Sequence, residues 1–253
     1  MSLISDTVDW ILPHKCCICG DVADVTADDI PGYKQLYNLI YGSQPDLHMC
    51  TKCLSRLTPV EGNRGWSLCL SNPYDGDPHP ELALFAPFPY DDICDTAIPR
   101  IKFGAQKELA RLFGIILGRT VKENNIAADL VVPVPLSAER LEERGFNQAE
   151  EMALPVAFAT GAPLRPDVLM RKVDTARQTE LRDNEARAEN VRGAFEVSPE
   201  WDVEGLSIIV ADDVATTGAT LHEAACALLD KGASKVLCIA FASNRTVKNT
   251  ETV

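Results

Sequence analysis

No apolar run in the chain reaches the length needed to cross a bilayer, and residues 1–12 carry Asp6 and Asp9 with no basic leader ahead of them. Membrane insertion and secretion are therefore not expected, and a cytoplasmic location is. Basic residues are in deficit: 24 Lys and Arg stand against 37 Asp and Glu, for a formal net charge of −13. That balance argues against bulk attraction to nucleic acid or an anionic membrane, so any nucleic-acid role needs a local basic patch. Internal repeats and low-complexity tracts are also missing, which removes solenoids and disordered spacers. No Ser/His/Asp constellation is visible, and His222 reads as a surface or helix-start residue, not a base. What remains is a 253-residue chain, 46% hydrophobic and 24% charged, with room for one α/β domain and a small accessory module.

Nine cysteines, an odd number without an export signal, indicate thiols or metal ligands instead of a disulfide framework. Six fall within residues 1–80: Cys16, Cys17, Cys19, Cys50, Cys53 and Cys69. Cys16-x-x-Cys19 and Cys50-x-x-Cys53 form two knuckles, each offering two thiolates from one tight turn, and together a tetrahedral shell for structural Zn²⁺. A segment so small and rich in turn residues has little core without such a staple. Cys17, His14 and His48 stand as alternative ligands, and a redox dithiol is the rival reading of one knuckle. Cys69 reads as a spectator; Cys94, Cys226 and Cys238 read as small buried hydrophobes. Residues 72–80, dense in Pro, Asp and Gly, read as a linker. The expected organisation is a zinc module with linker over 1–80 and an α/β domain over 81–253.

Beyond residue 81 the pattern alternates. Residues 82–90 read as a strand, edge or irregular because of Pro87 and Pro89. Leu109, Leu112, Phe113, Ile116 and Leu117 recur at helical spacing, predicting one amphipathic helix over roughly 96–123. A buried strand follows at 130–135, then a helix from Asn147 disturbed near Pro155. Strands are expected at 167–171, 194–197, 206–211 and 235–241, with a helix over 218–231. Strands alternating with helices imply a mainly parallel sheet covered on both faces.

The most informative segment runs from Ile208 to Thr220. An apolar run ends in Asp212 and Asp213, then Val214, Ala215, Thr216, Thr217, Gly218, Ala219 and Thr220 lead into a helical stretch. A loop between a buried strand and a helix start offers free backbone N–H groups and a favourable dipole to a phosphate. Gly218 permits close backbone approach, and the threonines add hydroxyls. Two carboxylates would repel a bare phosphate, but they suit vicinal hydroxyls that donate to them. A ribose 5-phosphate group satisfies both halves.

This segment resembles the phosphoribosyl pyrophosphate (PRPP) motif of type I phosphoribosyltransferases. By that resemblance Asp212 and Asp213 hold the ribose hydroxyls, and the loop from Ala215 through Thr216, Thr217, Gly218 and Ala219 to Thr220 cradles the 5′-phosphate. Three further segments accompany it. They are Val132-Pro133-Val134-Pro135-Leu136-Ser137 with Arg140 and Arg144-Gly145-Phe146-Asn147-Gln148; Arg177-Gln178-Thr179 with Leu181, Arg182, Arg187 and Asn190-Val191-Arg192-Gly193-Ala194-Phe195; and Ile101-Lys102-Phe103-Gly104 with Lys107. Together with the cysteine module, the set is similar to the ComF family of competence-associated proteins. Only Cys69 stands where many of that family carry further cysteines.

The resemblance implies a type I phosphoribosyltransferase-like fold and pyrophosphate held near Leu136, Ser137 and Arg140, with Arg144 close to the chemistry beside Asp212 and Asp213. The alternative for these arginines is a solvated helix face pairing with Glu139, Glu142 and Glu143. It also implies Mg²⁺ accompanying PRPP, and competence-machinery proteins and single-stranded DNA as partners. Six of the 24 basic residues lie between Arg171 and Arg192, among five acidic ones, as expected of a hood closing over the ligand or of a plain surface loop. Two function classes stay open here: a phosphoribosyltransferase, or a non-catalytic PRPP-binding accessory to DNA uptake.

Overall fold

Two long, nearly continuous apolar segments near the C-terminus set the architecture. The computed structural model describes residues 13–57, 67–70, 82–104, 106–172 and 191–244. The first part contains β1 (Val25–Thr26), a 3-10 turn, α1 (Tyr33–Tyr41), β2 (His48–Met49), α2 (Thr51–Arg56) and β3 (Ser67–Leu70). There follow β4 (Leu82–Phe85), β5 (Phe88–Pro89), α3 (Asp92–Phe103), α4 (Lys107–Glu123), β6 (Leu130–Pro133), α5 (Ala138–Arg144) and α6 (Gln148–Thr160). The chain continues through β7 (Leu169–Arg171), β8 (Phe195–Val197), β9 (Ser207–Ala215), α7 (Ala219–Leu229) and β10 (Lys235–Ser243).

The main sheet runs in the order β3-β4-β10-β9-β6, with β5 also beside β10. β4, β5 and β9 are parallel to β10, and β6 is parallel to β9; β3 is antiparallel to β4. Along β9, Ile209 and Ala211 face one way, joining Val131 and Ile239 beneath Leu117 and Val121 of α4 and Ala153 and Val156 of α6. Ile208 and Val210 face the other way, with Val132, Cys238 and Ala240, beneath Leu221, Ala224 and Leu228 of α7. Helices therefore cover both faces of a mainly parallel sheet, as the strand–helix alternation requires. On the first face α4 and α6 approach closely because α4 carries glycine at two facing positions. A Cβ on Gly114 would lie 2.8 Å from the Met152 Cα, and one on Gly118 2.7 Å from the Pro155 oxygen.

Several local expectations are corrected. The single helix over 96–123 is two, broken at Gly104, whose N–H donates to the Arg100 oxygen at 2.9 Å. Of the two readings of 82–90, edge or irregular, the irregular one holds: the segment is split into β4 and β5, and β4 is internal because β3 pairs outside it. The segment's prolines fall where the ladder tolerates them. Pro87 lies between β4 and β5, and after Pro89 the Tyr90 N–H resumes bonding to the Ser243 oxygen at 2.8 Å. α6 runs unbroken through Pro155. β9 continues through the acidic pair to Ala215 instead of stopping before it.

The cysteine-bearing part packs into the same apolar mass as the sheet domain. Ile18, Tyr33, Tyr37 and Met49 share one buried cluster with Ile98, Ile101, Leu112, Phe113 and Phe241. Arg111 ties the two parts further: it pairs with Glu151 at 2.8 Å, donates to the Tyr37 hydroxyl at 2.5 Å and lies 4.4 Å from the Tyr41 ring centroid. β3, which precedes residue 80, is a strand of the main sheet.

Candidate functional site: a polar cleft and a four-cysteine cluster

β9 delivers the acidic pair to the carboxyl edge of the sheet, where open parallel sheets place their ligands. Period-two geometry sends adjacent side chains to opposite faces, so Asp212 and Asp213 have different surroundings. Asp213 is only 2% exposed. Its Oδ1 accepts the Val214 N–H at 2.9 Å, and its Oδ2 lies 2.8 Å from the Lys102 ammonium. Asp212 is half-buried and accepts the Asp213 N–H at 2.8 Å. Burial first, and then the neighbouring Asp213 charge, push the Asp212 carboxyl above the ordinary carboxylate range; Lys102 opposes them.

Past Ala215 the chain turns at Gly218, whose φ of 78° is left-handed and which caps α7. Thr217 Oγ1 accepts the Ala219 N–H at 3.3 Å, and the Gly218 oxygen accepts from His222 at 2.9 Å. Thr216, Thr217, Ala219 and Thr220 line the cleft, whereas Gly218 and Ala215 are buried behind it. Ala215 is held there by the Ser243 hydroxyl, which donates to its oxygen at 3.0 Å.

The facing wall comes from the loop after β6 and from α5. Ser137 caps α5, its hydroxyl accepting the Arg140 N–H at 3.4 Å, while Leu136 and Arg140 line the cleft. The Arg-Gly-Phe-Asn-Gln segment explains itself residue by residue. Gly145 reverses the chain at φ 75°, Phe146 is buried in the core, and Asn147 caps α6 while donating to the Val134 oxygen at 3.0 Å. This leaves Arg144 and Gln148 in the cleft, bonded to each other at 3.1 Å. Burial, then Arg140, lower the Arg144 pKa from its ordinary value, with Asp213 opposing.

These walls enclose about 340 Å³, a volume suited to a small polar ligand. Lys102, Gln148, Arg171 and Val191 also line it. The sequence gives Lys102 no role of its own beyond its place in the Ile-Lys-Phe-Gly segment. Arg171 and Val191 mark the two ends of the expected hood, whose residues 173–190 lie outside the described residues, Arg177, Arg182 and Arg187 among them. The ribbon of β7 and β8 carries both ends: the Lys172 N–H donates to the Ala194 oxygen at 2.8 Å, and the Gly193 N–H donates to Glu223 of α7 at 2.6 Å. His222, near the helix start as expected, is fully buried against Cys226, with Sγ 3.5 Å from Nδ1.

A second cluster gathers Cys16, Cys19, Cys50 and Cys53, with their sulfurs all within 4.8 Å of one another. The Cys19–Cys50 separation is 3.6 Å, close to the edge of about 3.8 Å expected for four thiolates around one Zn²⁺. Local backbone builds it. Gly20 at φ 83° closes the first knuckle, and its N–H donates to the Cys16 oxygen at 3.0 Å. Cys50 is the N-cap of α2, and Asp24 accepts from the Thr51 N–H at 2.6 Å and the Thr51 hydroxyl at 2.8 Å. Burial works against a thiolate at Cys16, but backbone N–H donors from Cys19, Cys50 and Ile18 outweigh it and lower its pKa. Cys17, His14 and His48 stay outside the group; the two histidines stack 3.6 Å apart, and His48 pairs with Asp46. Cys94, Cys226 and Cys238 are buried, as small hydrophobes should be.

No family model matches the chain. Individual proteins do. The competence protein ComFC of Bacillus subtilis is 29% identical over 212 residues, covering 75% of this chain and 81% of the relative. The DNA utilization protein YhgH of Salmonella typhi is 31% identical over 164 residues, covering 63% of this chain and 71% of the relative. The competence protein F of Haemophilus influenzae is 27% identical over 140 residues, 53% of this chain and 61% of the relative. Among solved structures, a glutamine PRPP amidotransferase from B. subtilis matches with TM-score 0.35 and 23% identity over 51% of this chain and 25% of that one. An allosteric regulatory enzyme of purine biosynthesis matches with TM-score 0.38 and 19% identity over 57% and 31%. With relatives aligned across most of its length and an α/β, type I phosphoribosyltransferase-like sheet domain joined to a four-cysteine cluster, the chain belongs to the ComF family of competence and DNA utilization proteins.

Proposed function

We propose that the protein binds PRPP with Mg²⁺ in the cleft at the end of β9 and transfers its phosphoribosyl group to an acceptor, in the service of DNA uptake. The observation that carries this reading is the shared cleft: carboxylates, a glycine-turned loop at a helix start, and arginines all face one small volume. The α7 start and Thr216, Thr217 and Thr220 take the 5′-phosphate through N–H and hydroxyl donors. Asp212 and Asp213 accept from the ribose hydroxyls and orient the sugar. Arg140 and Arg144 face the departing pyrophosphate, where their charge is worth more as the C1–O bond breaks. Mg²⁺ accompanying PRPP would neutralise part of the leaving group's charge.

The four-cysteine cluster fits one structural Zn²⁺, ligated by Cys16, Cys19, Cys50 and Cys53, in a module over residues 1–80. None of the eight cysteines whose side chains are described forms a disulfide. No helix among the described residues is long and apolar enough to cross a membrane. Competence-machinery proteins and single-stranded DNA are its partners on this reading; the relatives' names support it only as far as competence and DNA utilization.

The test is pyrophosphate release from PRPP with Mg²⁺ across a panel of nucleobase and amine acceptors. Acceptor-dependent release that is lost in Arg144→Ala supports transfer. Tight PRPP binding with no release for any acceptor would replace transfer by ligand sensing.

A further inference from the structure

The segment Val191-Arg192-Gly193-Ala194-Phe195 is seated on α7 beside the cleft. Val191 to Ala194 form a β-turn, closed by the Ala194 N–H donating to the Val191 oxygen at 3.0 Å, with Gly193 in the left-handed region at φ 64°. Since the turn closes through Ala194, the Gly193 N–H points outward, and it donates to Glu223 Oε2 at 2.6 Å, a short bond to a carboxylate. Two residues earlier, Val191 packs against Ala219, the first residue of α7, and both line the cleft with Thr216, Thr217 and Thr220. Ala219 and Glu223 are four apart and so share one face of the helix, a turn from each other. The segment therefore meets that face at two points: an apolar one next to Gly218, and a polar one a turn further on. Behind it, Phe195 is buried and the Lys172 N–H holds the Ala194 oxygen at 2.8 Å.

Of the two contacts, the polar one is the stronger. A half-buried valine against an alanine shields little apolar area, whereas a hydrogen bond to a charged acceptor is among the stronger kinds. Glu223 does not itself line the cleft. We propose that Glu223 is a positioning residue for this cleft: by holding Gly193 it keeps Val191 on Ala219, so that an anion at the start of α7 is walled on that side. Excluding water there strengthens the hydrogen bonds that the loop gives the anion. By reciprocity, an anion in the cleft tightens the seat of the turn. This rests on reading the cleft as a ribose-phosphate site.

The experiment is calorimetric titration of zinc-replete protein with PRPP in excess Mg²⁺, at a temperature well below the melting point of every variant. Removing the acceptor in Glu223→Ala should weaken binding about five- to tenfold. Glu223→Gln, whose side-chain carbonyl still accepts the Gly193 N–H, should stay within about threefold of wild type. Val191→Ala should weaken binding too, and in its background Glu223→Ala should cost at most about twofold more, because the glutamate acts through that valine. Should Glu223→Ala fail to fold, Glu223→Met removes the acceptor, keeps the helical bulk, and is read in the same comparisons. Unchanged PRPP affinity in Glu223→Ala, equal losses in Glu223→Gln and Glu223→Ala, or full addition of the Val191 and Glu223 losses would each overturn the role of Glu223 and leave the ribose-phosphate reading intact. Wild type that binds no PRPP overturns that reading, and this role with it.

Discussion

At the scale of single residues, the acidic pair shows how one sequence motif yields two chemically different carboxylates. Asp213 is balanced by Lys102 and a backbone N–H, whereas Asp212 sits half-buried beside a charge of its own sign. The Asp212 pKa is raised in the fold, so its neutral form is favoured there. The stability this provides is complete below the unfolded carboxyl value near pH 4 and is lost as pH rises through the higher folded value. Asn cannot ionise, so Asp212→Asn should melt at higher temperature than wild type, with a gap that is wider at about pH 8 than at about pH 5. A gap that stays flat or narrows with rising pH would contradict this account of the pair. The acidic pair and the threonine loop were legible in the sequence because their chemistry is local. Lys102 was not, because its partner is distant in the chain and only folding brings α3 to the end of β9.

At the scale of elements, packing is governed by close approach that hydrophobic periodicity does not encode. Gly114 and Gly118 let α4 lie directly on the α6 backbone, and a side chain at Gly118 meets the Pro155 carbonyl at 2.7 Å. Gly118→Leu should therefore cost about 3 kcal/mol, lowering Tm by roughly 6–12 °C. A melting curve within about a degree of wild type would show that α4 and α6 can part without loss. Helical spacing correctly placed the residues of α4, but it ran α3 and α4 together. An apolar pattern does not register a break that Gly104 makes by its backbone alone. The β4–β5 region was legible as extended chain but not as an internal strand. Proline marks where a ladder bond is missing, not which strand lies beyond.

At the scale of the whole molecule, the cysteine cluster and the cleft meet through α3. Arg56 of α2, three residues past Cys53, pairs with Asp91 and Asp92 at the start of α3, and Lys102 in its last turn reaches Asp213. Protein purified without added metal should carry about one Zn²⁺ per chain. Cys50→Ser should abolish that content and lower Tm, while Cys69→Ser leaves both unchanged. Full zinc content in Cys50→Ser would exclude the four-cysteine shell. Both knuckles were readable from their spacing. Setting Cys17 and the stacked His14 and His48 outside the cluster needed the fold, since proximity in sequence kept each open as an alternative ligand.

The central claim is that the end of β9 and the start of α7 form one site for a ribose phosphate. Calorimetric titration of PRPP with Mg²⁺ into zinc-replete protein, alongside Asp213→Asn and Gly218→Val, tests it most directly. The expected result is saturable binding by wild type. Gly218→Val should abolish it by filling the left-handed turn that the loop requires. Asp213→Asn should weaken PRPP more than inorganic phosphate, because it alters hydroxyl recognition and leaves the loop intact. Folded, zinc-replete wild type that takes up no PRPP would contradict the claim.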